Sequence, residues 1–140
     1  MTAPVRVVRT MKYAFVVSVF LFIYVTIRVP SKAARPPQQS FELIIVMLAL
    51  INLALGLNGR RFWGRLAQAN AGRTSNTTPL NQWFSANVFS LAMIESCALF
   101  AVVLHMLGSP TKLVGILFGC ALLALFVWSP GAPPATDNFD

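Results

Sequence analysis

Few residues in this chain could do chemistry, and one of them stands where chemistry is expensive. Glu95 lies within FSLAMIESCALFAVV, at the midpoint of a 25-residue apolar stretch from Trp83 to Leu107. An ionised group at the centre of a bilayer costs about 2.5–3.5 kcal/mol on insertion scales. Three arrangements relieve that cost. The acid stays protonated, because desolvation disfavours its charged form. It bonds a donor on another helix. Or it faces water and exchanges protons or ions. Asn52, deep in a second apolar run, is the best donor that the sequence offers, with Ser96, Ser90 and His105 weaker. His105 follows Glu95 by ten residues, which places it roughly 15 Å along a helix and about 80° around it, out of reach on the same helix.

The remaining reactive residues form no catalytic set. The chain has one histidine, two cysteines and four acids, with no nucleophile–base pairing and no metal-ligand spacing. No enzyme, no metal site and no cofactor are expected. The lone histidine excludes a bis-histidine haem within one chain. A single axial ligand from His105 to haem or chlorophyll stays open beside the simpler reading of an interfacial histidine near a helix end. Cys97 and Cys120 sit in apolar runs and read as free packing thiols.

The elements that must position Glu95 follow from composition. The 140 residues are 56% hydrophobic and 11% charged, against about 25% charged for a soluble domain. So few charges cannot cover a water-facing surface. The expected fold class is all-α, an integral membrane protein with four transmembrane helices in a single membrane domain. The helices are expected at about 12–29, 41–58, 80–107 and 110–129. The first carries YAFVVSVFLFIYVTI, 15 apolar residues between Lys12 and Arg28, and is stopped by Pro30. The second opens with Ser40 as N-cap and Glu42 in its first turn, where the helix dipole favours an anion. Thr78-Pro79 and Ser109-Pro110 are both read as an N-cap followed by proline at the first helical position. Gly108 can end the third helix in the left-handed conformation, so helices three and four form an antiparallel hairpin. Gly115 and Gly119 form a GxxxG pair that permits close helix approach.

Residues 59–78 read as a polar, interfacial linker. Its first half is a helical extension whose Arg60, Arg61 and Arg65 meet anionic headgroups. Asn76-Thr77-Thr78 matches the glycosylation sequon, a pattern of low specificity. The tail, 130–140, is Pro/Ala-rich and acidic and is expected to be disordered. The net charge of +7 sits just outside the apolar runs, which suits lipid headgroups and topology rather than nucleic acid. Seven Lys/Arg lie in the N-terminal tail and the linker, against four in the two other loops, so both termini are expected in the cytoplasm. A competing reading takes the first apolar run and Ser31-Lys32-Ala33 as a cleaved signal peptide, although Arg28 and Pro30 fit that poorly.

Two resemblances attach to these residues. Ala92-Met93-Ile94-Glu95-Ser96-Cys97-Ala98-Leu99-Phe100-Ala101 resembles the carboxylate helix of the proteolipid ring subunits of rotary ATP synthases. That likeness implies a proton or Na⁺ site at Glu95 with Ser96 as co-ligand. The glycine-rich first helix of those subunits is missing here, and Ala101 stands where they carry glycine. From about Trp83 to Pro134 the chain is similar to small four-helix membrane proteins of bacterial genomes, which share the A-x-x-E-S-x-A-L-F helix followed by G-S-P. That group has no assigned activity, so the likeness implies architecture and a bacterial inner-membrane location, and no mechanism.

Two functions are therefore expected from different classes. One is a structural or accessory membrane subunit, in which Glu95, Asn52 and the Gly115/Gly119 face serve helix association within the chain, in a homo-oligomer or with other membrane subunits. The other is a proton- or Na⁺-handling oligomer with Glu95 as the ion site.

Overall fold

Helix formation is favoured wherever the chain is apolar over a long run, because a helix satisfies its backbone N–H and C=O groups within one segment. The computed structural model describes residues 3–31, 37–70 and 78–134. Among them there are four helices and no strand: α1 Ala3–Arg28, α2 Gln39–Asn70, α3 Pro79–Met106 and α4 Thr111–Val127. Three are long and apolar enough to cross a membrane, namely Pro4–Arg28, Gln39–Gly59 and Pro79–Met106, and α4 is a shorter apolar helix.

Several boundaries differ from the sequence expectation, each for a local reason. α1 starts nine residues before Lys12, since the interleaved Val5, Val7, Val8 and Met11 contain no breaker after Pro4 and Val8 finds a fully buried position. α2 does not end at residue 58. It runs unbroken to Asn70, so the helical extension expected in the first half of the linker is continuous with α2. Its potential break, Gly59, is pressed against α3, and Asn58 Nδ2 bonds back to Ala54 O at 3.0 Å. α2 also begins one residue before Ser40, which therefore sits inside the first turn rather than capping it, and the Gln38 carbonyl accepts from Phe41 and Glu42 N–H. Glu42 keeps its first-turn position.

The α3 start is as expected: Thr78 caps it, its hydroxyl accepting from Asn81 N, with Pro79 at the first position. The α4 start is not. Its N-cap is Pro110 without a side-chain bond, and Ser109 is buried with its Oγ unpartnered among the described residues. Ser109 is instead claimed by the end of α3. Gly108 has φ 83°, Gly108 N–H bonds His105 O and Ser109 N–H bonds Leu104 O, the paired bonds of a Schellman turn. That turn makes α3 and α4 an antiparallel hairpin.

α3 is the hub, touching all three other helices, while α1 also packs on α4, α2 grazes α4, and α1 and α2 do not meet among the described residues. The core is a line of small and branched side chains along α3 (Leu91, Ile94, Cys97, Ala98, Ala101, Leu104) met by Val114, Leu117, Ala121 and Leu125 of α4. The outside is as apolar as the inside. Ile27 is 76% exposed, Val127 71% and Phe126 64%. An apolar exterior of this extent is compatible with a membrane protein. The sequon's Asn76 and Thr77, the Lys32-Ala33 part of the candidate cleavage site, the Arg60 side chain and tail residues 135–140 lie outside what is described. Residues 129–134 carry no regular structure.

Candidate functional site

Glu95 lies on the face of α3 that meets α1, and Ser18 Oγ donates to Glu95 Oε1. Both side chains are half-buried, and among the described residues Ser18 is the one recorded hydrogen-bond partner of this carboxyl. The donor expected from sequence was Asn52. Helix geometry explains why it is not used. α2 packs on the Ser90–Ile94 face of α3, where a Cβ added at Gly56 would lie 2.6 Å from Ile94 Cγ1 and 2.9 Å from Ser90 O. Glu95 follows Ile94 and so points about 100° away, toward α1. Asn52, one turn before Gly56, stays half-buried on α2.

Ser96, the expected co-ligand, does not turn toward the carboxyl. Its Oγ donates to its own helix at Met93 O, 2.7 Å away. Of the small residues beside Glu95, Ala98 is fully buried and Ala92 is exposed, so the acid marks the edge between core and exterior.

Two further polar links tie α1 to the rest. His105 Nε2 donates to Val29 O at 2.7 Å, just past the end of α1. Lys12 Nζ donates to Trp128 O at 2.6 Å and Phe126 O at 3.2 Å, supplying the cation that the carboxyl end of α4 lacks in its own sequence. Ser18 and Lys12 were both missed in the sequence. The available signals were a hydroxyl near the middle of the first apolar run, at Glu95's depth, and a helix ending without a basic residue.

The packing glycines also differ from those expected. Beside Gly115 and Gly119 an added Cβ meets nothing within 4 Å, so the GxxxG pair faces outward. Close approach is made by Gly56 and Gly59, the latter directly against Ser90 Oγ. Under this contact lies a buried polar string. Asn87 Nδ2 donates to Trp83 O at 2.7 Å. Asn87 Oδ1, Ser90 Oγ and Trp83 Nε1 are buried and have no partner among the described residues. Cys97 and Cys120 are free, and the Cys97 thiol points at Leu117 O, 3.8 Å away.

As chemistry, the arrangement joins helices. A hydroxyl–carboxyl bond, an imidazole–carbonyl bond and an ammonium–carbonyl bond sit at three levels along α1 and its end. No protein-family model, no curated protein and no solved structure matches this chain.

Proposed function

We propose that this is a non-enzymatic, small integral membrane protein that acts as a structural or accessory subunit, its buried polar groups serving helix association. The observation that carries the reading is the Ser18–Glu95 bond, which spends the intramembrane acid on joining α1 to α3. Polar contacts are the expected glue between membrane helices, because lipid tails supply no hydrophobic drive for association. In this reading all four helices span the membrane, α4 included. Both termini are cytoplasmic, with the exposed Arg6, Arg9, Arg61 and Arg65 at that side's anionic headgroups, joined there by Arg60. The open Gly115/Gly119 face supports docking of another helix, from a second copy or another membrane subunit. A bacterial inner membrane is the proposed setting.

The second reading, a proton- or Na⁺-handling oligomer, is favoured by one fact: Glu95 is only half-buried. Labelling of Glu95 by a hydrophobic carbodiimide in native membranes, with Glu95→Gln as control, separates the two. The association reading expects labelling that Na⁺ leaves unchanged, and an E95Q protein that assembles normally. Protection by Na⁺ would replace it with the ion-handling reading.

A further inference from the structure

We infer that two copies of this chain pair along an outward seam of α3, with a hydrogen bond between their Glu95 carboxyls at the centre of the contact. The inference rests on the membrane-spanning association reading above and names its partner.

The carboxyl has two oxygens, and the fold uses one. Oε1 accepts from Ser18 on α1. Oε2 has no partner among the described residues, yet it is not sealed in as Asn87 Oδ1 and Ser90 Oγ are. It opens at the outer edge of α3, in the middle of the apolar run from Trp83 to Leu107. Hydrocarbon chains would cover the neighbouring side chains but bring this oxygen no hydrogen-bond partner, and an unsatisfied polar group at that depth is costly.

The strip of α3 that carries Glu95 is patterned for a second helix. α4 touches all three other helices, while α1 and α2 do not meet among the described residues, so one side of α3 is left without cover. The Ser18–Glu95 and Val29–His105 links are separated by 77 and 76 positions, so α1 runs parallel to α3 and borders that side. Val88, Ala92, Glu95, Leu99, Val102 and Met106 lie along it at intervals of 4, 3, 4, 3 and 4. Ala92 is exposed, Leu99 is 46% and Met106 50% exposed, and the other three are half-buried. This alternation is that of a coiled-coil seam, in which each residue of a parallel pair meets its own counterpart across the two-fold axis. Glu95 therefore meets the second copy's Glu95. A protonated carboxyl of one copy donates to Oε2 of the other, and each keeps its own Ser18. The second copy supplies the missing group at the right depth from residues that this chain already has. One polar pair in an apolar seam also fixes its register, and Ala92, one turn away, lets the backbones approach.

The test uses the full chain with Cys97 and Cys120 replaced by alanine, in dioleoyl phosphatidylcholine vesicles, and oxidises single cysteines with copper phenanthroline. Release by alkaline carbonate would overturn the membrane reading itself. With the protein retained, Ala92→Cys and Leu99→Cys should cross-link into dimers at least about tenfold faster than Phe20→Cys on α1 or Gly119→Cys on α4, because the seam brings their Cα atoms within disulfide reach. Faster reaction at Gly119 would move the contact to α4. Equal reaction at all four sites, or none, would leave no defined contact. Each of these results overturns the inference. In the Leu99→Cys chain, Glu95→Gln should keep the rate within about twofold, since paired amides donate and accept in turn. Glu95→Leu should lower it roughly tenfold, since the polar contact is what holds the helices together in lipid. Ser18→Ala, which breaks the bond to α1 and leaves the carboxyl, should cross-link as its parent does. An unchanged rate in Glu95→Leu, or a loss as large in Glu95→Gln or Ser18→Ala, would overturn the carboxyl pair.

Discussion

At the scale of single residues, the bond between Ser18 and Glu95 decides what the acid does. It makes the hydroxyl as necessary as the carboxyl. Ser18→Ala should weaken the fold by about 1 kcal/mol, the usual worth of a hydrogen bond between membrane helices. Glu95→Gln should cost less, because the amide oxygen still accepts. Unfolding in mixed dodecyl maltoside and sodium dodecyl sulfate micelles reads both, and equal losses for the two would contradict the assigned donor and acceptor. The glycines divide the same way. Gly56→Ala drives a methyl into Ile94 and the Ser90 carbonyl and should destabilise by on the order of 1–3 kcal/mol. Gly119→Ala meets open space and should be neutral or gain up to about 1 kcal/mol from lost unfolded-state freedom. Its effect belongs to association between chains, read by analytical ultracentrifugation in detergent.

At the scale of elements, α3 is held by packing and α1 by polar links. Only 6% of the residues in the apolar span of α1 are buried, against 39% in that of α3. Few buried contacts make α1 the least secured of the membrane-compatible helices, so loss of one link should be felt at both helices it joins. Lys12→Met removes the cation at the end of α4 while keeping a flexible side chain of similar length. The expected outcome is faster amide exchange in the last turn of α4, including Trp128 N–H on Ala124 O, with the middle of α3 unchanged. Uniformly faster exchange across all four helices would mean that Lys12 supports the whole fold rather than one helix end. The elements also show where sequence signals were legible. Thr78-Pro79 and Gly108 are local devices, whose effect depends only on their own backbone, and both act as read. Ser109-Pro110 has the same letters as a cap, yet the Schellman turn reaches Ser109 first. Two local motifs competed for one residue, and the hairpin geometry settled it.

For the whole molecule, the parallel course of α1 and α3 and the antiparallel course of α4 put the start of α1 and the end of α4 at one end. The run of α2 past Gly59 brings Arg61 and Arg65 to that end as well. Topology then has a simple readout. In a chain with Cys97 and Cys120 replaced by alanine, cysteines at Arg9, Arg65 and Ser129 should react with a membrane-impermeant maleimide from the cytoplasmic side, and one at Thr111 from the other. Reaction of Ser129 and Thr111 from the same side would show that α4 does not span.

Sequence alone determined the helical class and the apolar runs, because the excess of apolar residues and the absence of breakers act locally and favour helix. It also isolated Glu95, since an acid amid apolar residues is conspicuous without any structure. It did not determine what Glu95 touches. Asn52 is the more conspicuous polar residue, while Ser18 is a common residue in an apolar run. Which of them meets the acid depends on how α3 is rotated between α1 and α2, and that rotation is set by Gly56 and Gly59 letting α2 close on Ser90 and Ile94. The outward turn of Gly115 and Gly119 has the same origin. A GxxxG pair permits close approach, but which surface approaches it follows from the packing of all four helices at once.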